Sequence, residues 1–388
     1  LRSIFCLALA SLVLSADVHA ARPKRLPKPT AAGLFRTGRR GPLIRLDEAS
    51  RIFAFKPEFL RDHSPTYTHE LPIETVKNQQ SWGGCVTYST IARLELKTGI
   101  PLAEQYNILT NVYQDAIELL RTDSTSLVGM GMTMELSAAR LELNGALPAS
   151  VWPAPRIDFE SKAGNGEALL RFVNAQIVEF RLASAKARDS ATRARLKRKY
   201  VSRIRSRVES FGPEIPVRFT VDGVEYTSPE DFFARALKPH YEVPESFRPR
   251  RRANFKGMDF KPYKFRNSTY EPLDKLVDRV RDSVIAGRPV VVAYSGGYPY
   301  QDVASGVMSL AAFHVPRNYR EPDPAYLDSY GSSRFGGHVA LVVGVDLDAQ
   351  GRVIKFKMRN SGGDRWGERG FGHMYRDFFE HFVYNTWI

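Results

Sequence analysis

A thiol, an imidazole and two carboxamides stand in this chain where their neighbours favour nucleophilic chemistry. The thiol is Cys85, the only cysteine beyond the first 20 residues, in the stretch Val76-Lys77-Asn78-Gln79-Gln80-Ser81-Trp82-Gly83-Gly84-Cys85-Val86. A cysteine taken alone reads as a small buried hydrophobe. Here Gly83 and Gly84 precede it, and a helix-like run from Val86 to Lys97, closed by Gly99, follows it. A thiol on the first turn of a helix faces unpaired N–H groups and the positive end of the helix dipole. That surrounding lowers its pKa, and the thiolate is the attacking species. Gly83 and Gly84 carry no side chain, so a substrate backbone can lie against them. Gln79 offers a side-chain NH2 that, with the Cys85 backbone N–H, forms a pair of donors fit to hold an oxyanion.

The imidazole is His338. Gly336-Gly337-His338-Val339-Ala340-Leu341-Val342-Val343-Gly344-Val345 is an apolar run, hence a buried strand. Asp348-Ala349-Gln350-Gly351 is a turn, and Arg352 to Arg359 is the returning strand. Counting outward from the turn centre sets His338 opposite Ser361, so Asn360 falls within a residue or two of it across the pair. An Asn side-chain oxygen there can hold one imidazole nitrogen while the other faces a nucleophile. The seven other histidines, His19, His63, His69, His240, His314, His373 and His381, have no comparable arrangement. No cluster of His, Cys, Asp and Glu has metal-ligand spacing, and one cysteine cannot build a structural zinc site. Neither a metal nor a cofactor is expected.

The chain that must position these groups has 388 residues, 43% hydrophobic and 25% charged, enough for one large globular domain. Leu1-Arg2-Ser3 followed by the apolar Ile4 to Ser15, with small residues near Val18-His19-Ala20, reads as a signal peptide over residues 1–20. The expectation is a secreted or periplasmic protein without a transmembrane segment, because no apolar run approaches ~20 residues. Its one remaining thiol is then unpaired and worth attention as a reactive group.

The formal charge of +14 comes largely from a run between Arg181 and Arg207 and from Arg248-Pro249-Arg250-Arg251-Arg252. Such stripes can attract nucleic acid or an anionic membrane, yet they are more often solvated helix faces. Aromatics are not interleaved with the basic run, so specific nucleic-acid binding is not expected.

Residues 21–70 form a basic, Pro-rich lead-in or pro-segment, with 51–75 expected to pack as irregular chain. Helices are expected from Leu102 to Leu120 and from Thr133 to Asn144, the second stopped by Gly145. Gly129-Met130-Gly131-Met132, just before it, suits the wall of a peptide groove better than a phosphate loop. Residues 160–290 read as a mostly helical insertion: a long, charged, helical stretch from Leu169 to Val208 and a hairpin over Phe219–Tyr226 with an Asp222-Gly223 turn. A helix capped by Ser228 with Pro229 first follows, then an amphipathic helix from Leu273 to Ala286. Pro289 to Tyr294 is a buried strand.

The Gln79-to-Cys85 stretch resembles the active-site segment of papain-like cysteine peptidases. His338 to Asp348, Arg359-Asn360-Ser361-Gly362-Gly363-Asp364 and Gly367-Glu368-Arg369-Gly370-Phe371 are similar to the His and Asn segments of the bleomycin hydrolase-like branch. Less sharply, so are Asn144 to Pro153 and Ser228 to Phe233. The resemblance runs in order from about Val76 to Tyr384. It implies an α+β, two-lobed papain-like fold over residues 71–388, a helical lobe led by the Cys helix and an antiparallel β lobe carrying His and Asn. It implies Cys85, His338, Asn360 and Gln79 as the active-site four, with Gly83, Gly84, Gly131, Met132 and Gly337 along the substrate. The helical insertion accounts for a separation of about 250 residues between Cys85 and His338, where simpler relatives need about 130–150.

The expected function is an exported cysteine peptidase acting on peptides or proteins through a Cys85 thioester. Two other readings use the same scaffold: a basic binding protein that has lost catalysis, and a cell-wall amidase or acyltransferase. Two departures bear on the choice. The family's Trp after Asn-Ser is here Gly362, with Trp366 as a substitute cover for the Asn–His bond. The chain as given also ends at Ile388, short of the arm that enters the cleft in bleomycin hydrolases, so an open cleft is expected. The family's hexameric rings leave a homo-oligomer open.

Overall fold

A computed structural model describes residues 34–36, 43–45, 53–60, 65–73, 76–80, 83–122, 126–129, 132–152, 157, 165–212, 214–216, 218–242, 244–249, 268–295, 300–315 and 337–388. The signal-peptide reading of residues 1–20, Gly131, and Arg250 to Arg252 lie outside them.

The N-terminal lobe is helical. Helix α1 (Cys85–Thr98) ends where expected, because Gly99 takes a left-handed φ of 69° that closes the last turn. Helix α2 (Glu104–Arg121) and α3 (Met134–Asn144) follow, the latter capped by the Thr133 side chain accepting from the Leu136 N–H. The long charged stretch is helical as expected and consists of two helices, α4 (Asn165–Lys186) and α5 (Ser190–Glu209). The break has a local cause: the Asp189 carboxylate takes the Thr192 N–H at 2.6 Å and starts a second helix. Leu169, Val173 and Ile177 of α4 and Tyr200 and Ile204 of α5 close a core with α2 and with the Phe219–Val221/Val224–Tyr226 hairpin. Asp222 and Gly223 form its turn with φ of 48° and 81°.

The second lobe is a ten-stranded sheet: β1 (Tyr67–Glu70), β2 (Ser246–Pro249), β3 (Ser268–Glu271), β4 (Val290–Ser295), β5 (Gln301–Asp302), β6 (Val307–Met308), β7 (Gly337–Leu347), β8 (Val353–Arg359), β9 (Phe371–Tyr375) and β10 (Val383–Trp387). Its order is β5-β6-β9-β8-β7-β4-β10-β2-β3, with β1 paired to the far half of β7. Helix α6 (Leu273–Ile285) and α7 (Arg376–Phe382) cover one face through Leu276, Val280, Phe378 and Phe379.

Strand β7 alternates between the lobes, as a period of two requires. Ala340 and Val342 face the core under α6 and α7, while Val339, Leu341 and Val343 pack with Cys85, Val86 and Ala92 of α1. Each such Val or Leu contributes roughly 1.5–3 kcal/mol by leaving water. The Cys helix is therefore welded to the strand that carries His338.

Three expectations change. The described residues between 51 and 75 pack onto the core but not all as irregular chain: Ala54–Phe55 pairs with Phe313–His314, β1 joins the sheet, and Phe53 and Phe59 are buried in the β lobe. Structure that packs onto the β lobe thus begins before residue 71. Within 160–290 the helices α4 and α5 extend the helical lobe, whereas β2, β3, α6 and the start of β4 build the β lobe. Within the lead-in, Leu34–Arg36 pairs with Leu43–Arg45 as a hairpin.

Candidate active site

Cys85 is the first residue of α1, and no side chain caps that helix start. Its first-turn N–H groups are left to act on the sulfur, which is 8% exposed. The sulfur hydrogen-bonds to the His338 imidazole and to backbone at Val339 and Val86. On the other side of the ring, Nε2 of His338 meets Oδ1 of Asn360 at 2.6 Å. Nδ1 is then the nitrogen turned to Cys85. Tyr294, paired with His338 across β4 and β7, sets its ring edge-on to the imidazole at 5.5 Å between centroids.

The electrostatics favour an ion pair. Burial by itself raises the thiol pKa, but the hydrogen bond and charge of His338 outweigh it and the net shift is downward. Burial lowers His338, while Cys85 and the Asn360 bond outweigh that and the net shift is upward. The two shifts have one meaning: thiolate and imidazolium stabilise each other.

Asn360 leaves the end of β8. The pairs Leu341–Arg359 and Val342–Met358, carried three residues outward, set His338 level with Gly362, one residue beyond the counted Ser361. The pair next to the turn, Leu347–Val353, already has this register, so the turn centres on Gln350 and sets the offset, while the shifts between Asp346 and Leu347 and between Val342 and Gly344 cancel. The Asn360 side chain is long enough to reach back across it.

Gln79 is held by the next residue, Ser361. The Gln79 N–H donates to the Ser361 carbonyl at 2.8 Å, and the Ser361 hydroxyl donates to Gln79 Oε1. The amide thus presents its oxygen to Ser361 and its NH2 end away from it. The Ser361 N–H also donates to Asn360 Oδ1 at 2.8 Å, so a single residue orients both carboxamides. Nothing in the sequence beyond its position singled Ser361 out. Tyr294 was legible only as a buried strand residue.

The expected groove residues mostly converge. Gly83, Gly84 and Met132 line a concavity beside Cys85, with Gly129, Asn111 and Asp115. Asn111 and Thr87 turn their donors to the Met132 sulfur at 3.6 and 3.8 Å, and Asp115 is paired with Arg140. Asn111 and Asp115 are additions that the helical pattern of α2 concealed. Gly337 lies exposed at the start of β7, beside His338.

Trp366 stands with its stem, not its ring, beside Gly362. A Cβ added to Gly362 would stand 3.1 Å from Trp366 Cβ and 3.7 Å from Asn360 Nδ2, so the stem of Trp366 fills the room a side chain at 362 would take. Its ring extends over Gly372 and is 8% exposed.

Beneath the site lies an ion cluster. Lys77 bonds Glu95 at 2.5 Å and the Leu102 carbonyl at 2.7 Å and pairs with Glu104; Arg359 approaches Glu95 at 3.6 Å. It joins the segment before Gln79, the Cys85 helix, α2 and the strand before Asn360. Burial lifts Glu104 to about 7, with Lys77 pulling against it.

Among the described residues no group of three or more His, Cys, Asp and Glu could hold a metal ion, and no helix is long and apolar enough to cross a membrane.

Comparison with known proteins bears on the fold. Residues 323–388 match the Peptidase C1-like family. No curated protein sequence matches the chain. Among solved structures, pepw from Lactobacillus rhamnosis HN001 is similar with a TM-score of 0.69 and 20% identity, over 86% of this chain and 84% of that one. Xylellain, a cysteine protease from Xylella fastidiosa, aligns over 87% of this chain and 91% of its own at 16% identity, with a TM-score of 0.39. The fold is the papain-like α+β fold of C1 cysteine peptidases, as the sequence resemblance implied.

Proposed function

We propose that the chain is an exported cysteine peptidase of the bleomycin hydrolase-like branch, with Cys85 as nucleophile, His338 as acid and base, Asn360 orienting the ring and Gln79 completing the oxyanion hole. The observation that carries this reading is the line from the Cys85 sulfur through the His338 ring to Asn360 Oδ1. The Cys85 thiolate attacks a peptide carbonyl carbon, forming a C–S bond and an oxyanion held by the Gln79 NH2 and the Cys85 N–H. The C–N bond then breaks as imidazolium gives its proton to the leaving amine. Water attacks the thioester, His338 takes its proton, and the C–S bond breaks to free the acid and restore the thiolate. Export rests on the sequence of residues 1–20.

Iodoacetamide labelling with peptide mapping, together with turnover of a peptide library, tests the proposal. The expected result is modification at Cys85, cleavage of peptides, and neither in Cys85→Ala. A reduced wild-type chain that resists labelling would refute it. Labelling without turnover of any peptide would favour the binding-protein reading.

A further inference from the structure

Helices α4 and α5 carry most of the chain's excess charge. Residues 165–209 hold 12 Lys and Arg against four Asp and Glu, so they supply +8 of the total +14. All four acids are engaged inside the pair. Glu167 meets Arg171 at 3.9 Å, Glu179 meets Arg203 at 3.8 Å and Glu209 meets Arg205 at 3.6 Å. Asp189 caps α5 by accepting from the Thr192 N–H and hydroxyl, with Arg195 near enough to act on it by charge. Among the described residues, Arg193, Arg195, Lys197, Arg198 and Lys199 form no ion pair. Tyr200, Ile204 and Val208 turn to the core. By helical spacing, Arg195, Arg198 and Lys199 therefore lie on the outer side, and all three are exposed. Arg195 and Lys199 are four apart, where like charges repel.

The same outer surface is not purely polar. Leu182 is 62% exposed and Val178 43% exposed on α4. They flank Glu179, whose partner Arg203 belongs to α5. Basic side chains beside exposed aliphatic ones suit the boundary of an anionic bilayer, where phosphates meet acyl chains. A nucleic acid would instead use exposed aromatics for stacking, and the one aromatic of α5, Tyr200, is buried. We propose that the outer face of α4 and α5 docks on an anionic lipid surface, with Arg195, Arg198 and Lys199 over the headgroup phosphates and Leu182 at the acyl boundary. The inference stands whether or not Cys85 is catalytic.

Flotation of the full chain with lipid vesicles tests this. The chain should float with vesicles of equal parts phosphatidylglycerol and phosphatidylcholine, and not with phosphatidylcholine alone. Binding should fade at about 1 M salt, where the screening length falls to about 3 Å. Each basic residue near such a surface is worth about fivefold in affinity, so the triple variant Arg195→Gln, Arg198→Gln, Lys199→Gln should bind on the order of 100-fold more weakly. Glutamine is a good helix former, so its circular dichroism should match the wild type. Leu182→Ser should weaken binding several-fold. A control triple on other surfaces, Lys238→Gln, Lys275→Gln, Arg288→Gln, should bind nearly as the wild type does. Equal losses in the two triples would show that net charge alone is felt, and would overturn the proposal. So would a chain that floats with neither vesicle. A DNA duplex bound through Arg195, Arg198 and Lys199 while vesicles stay bare would make nucleic acid the partner and also overturn it.

Discussion

The hydroxyl of Ser361 donates to the side-chain oxygen of Gln79, a residue far earlier in the chain. With the Ser361 N–H on Asn360 Oδ1, this bond makes one loop responsible for the direction of two amides. Ser361→Ala should free the Gln79 amide to rotate. Turnover should fall by about fivefold to tenfold, the effect of one hydrogen bond worth on the order of 1 kcal/mol. Gln79→Ala should cost on the order of 100–1000-fold. Steady-state kinetics on a short peptide should place both losses in kcat, with iodoacetamide labelling of Cys85 nearly unchanged.

The pH profile follows from the opposed shifts of Cys85 and His338. The thiolate form is favoured, so the acid limb of kcat/KM should lie below the ordinary thiol range. Imidazolium is favoured too, so the alkaline limb, where His338 loses its proton, should lie above the ordinary imidazole value. Asn360 supports the charged ring. Asn360→Ala therefore removes a raising influence, and its alkaline limb should move to lower pH. An alkaline limb that stays put in the variant would show that the 2.6 Å bond does not tune the ring.

Lys77 is the hub of the ion cluster under the site, touching Glu95, Glu104 and the Leu102 carbonyl. Lys77→Met leaves two carboxylates facing each other across a buried space. Urea unfolding at neutral pH should show a loss on the order of 3 kcal/mol. Lowering the pH towards 5 should shrink the deficit, because Glu104, already near 7 in the intact cluster, takes up a proton there.

Gly372 is a glycine by necessity of packing. A Cβ there would lie 2.4 Å from the far edge of the Trp366 ring and 2.5 Å from the Gly306 carbonyl. Gly372→Ala should displace the indole and cost about 1–3 kcal/mol. Trp366 fluorescence and the melting temperature should both change.

How far the sequence carried depended on whether a residue's role left a local pattern. His338 and Asn360 could be paired by counting because an Asp348–Gly351 turn and an apolar run frame them, and the two register shifts along the pair cancel, leaving only the one-place offset set at the turn. Gly99, Thr133 and Gly145 marked their helix ends for the same local reason. Strand β1 was not legible: Tyr67 to Glu70 are polar or exposed, and their partner in β7 is remote in sequence. Asp189 was missed as a helix start because the charges around it hide the period on both sides. Ser361 and Tyr294 act through contacts that no spacing rule encodes.

The sulfur of Cys85 travels with a helix and the imidazole of His338 with a sheet, and the apolar weld of Val339, Leu341 and Val343 against Val86 and Ala92, with the Glu95–Arg359 pair beside it, keeps them in register. Reactivity of that thiol is accordingly a ruler for the fit between two halves of the molecule. A mild denaturant that lets the halves slip by an ångström or two should silence the thiol while the helices and strands still give a native spectrum.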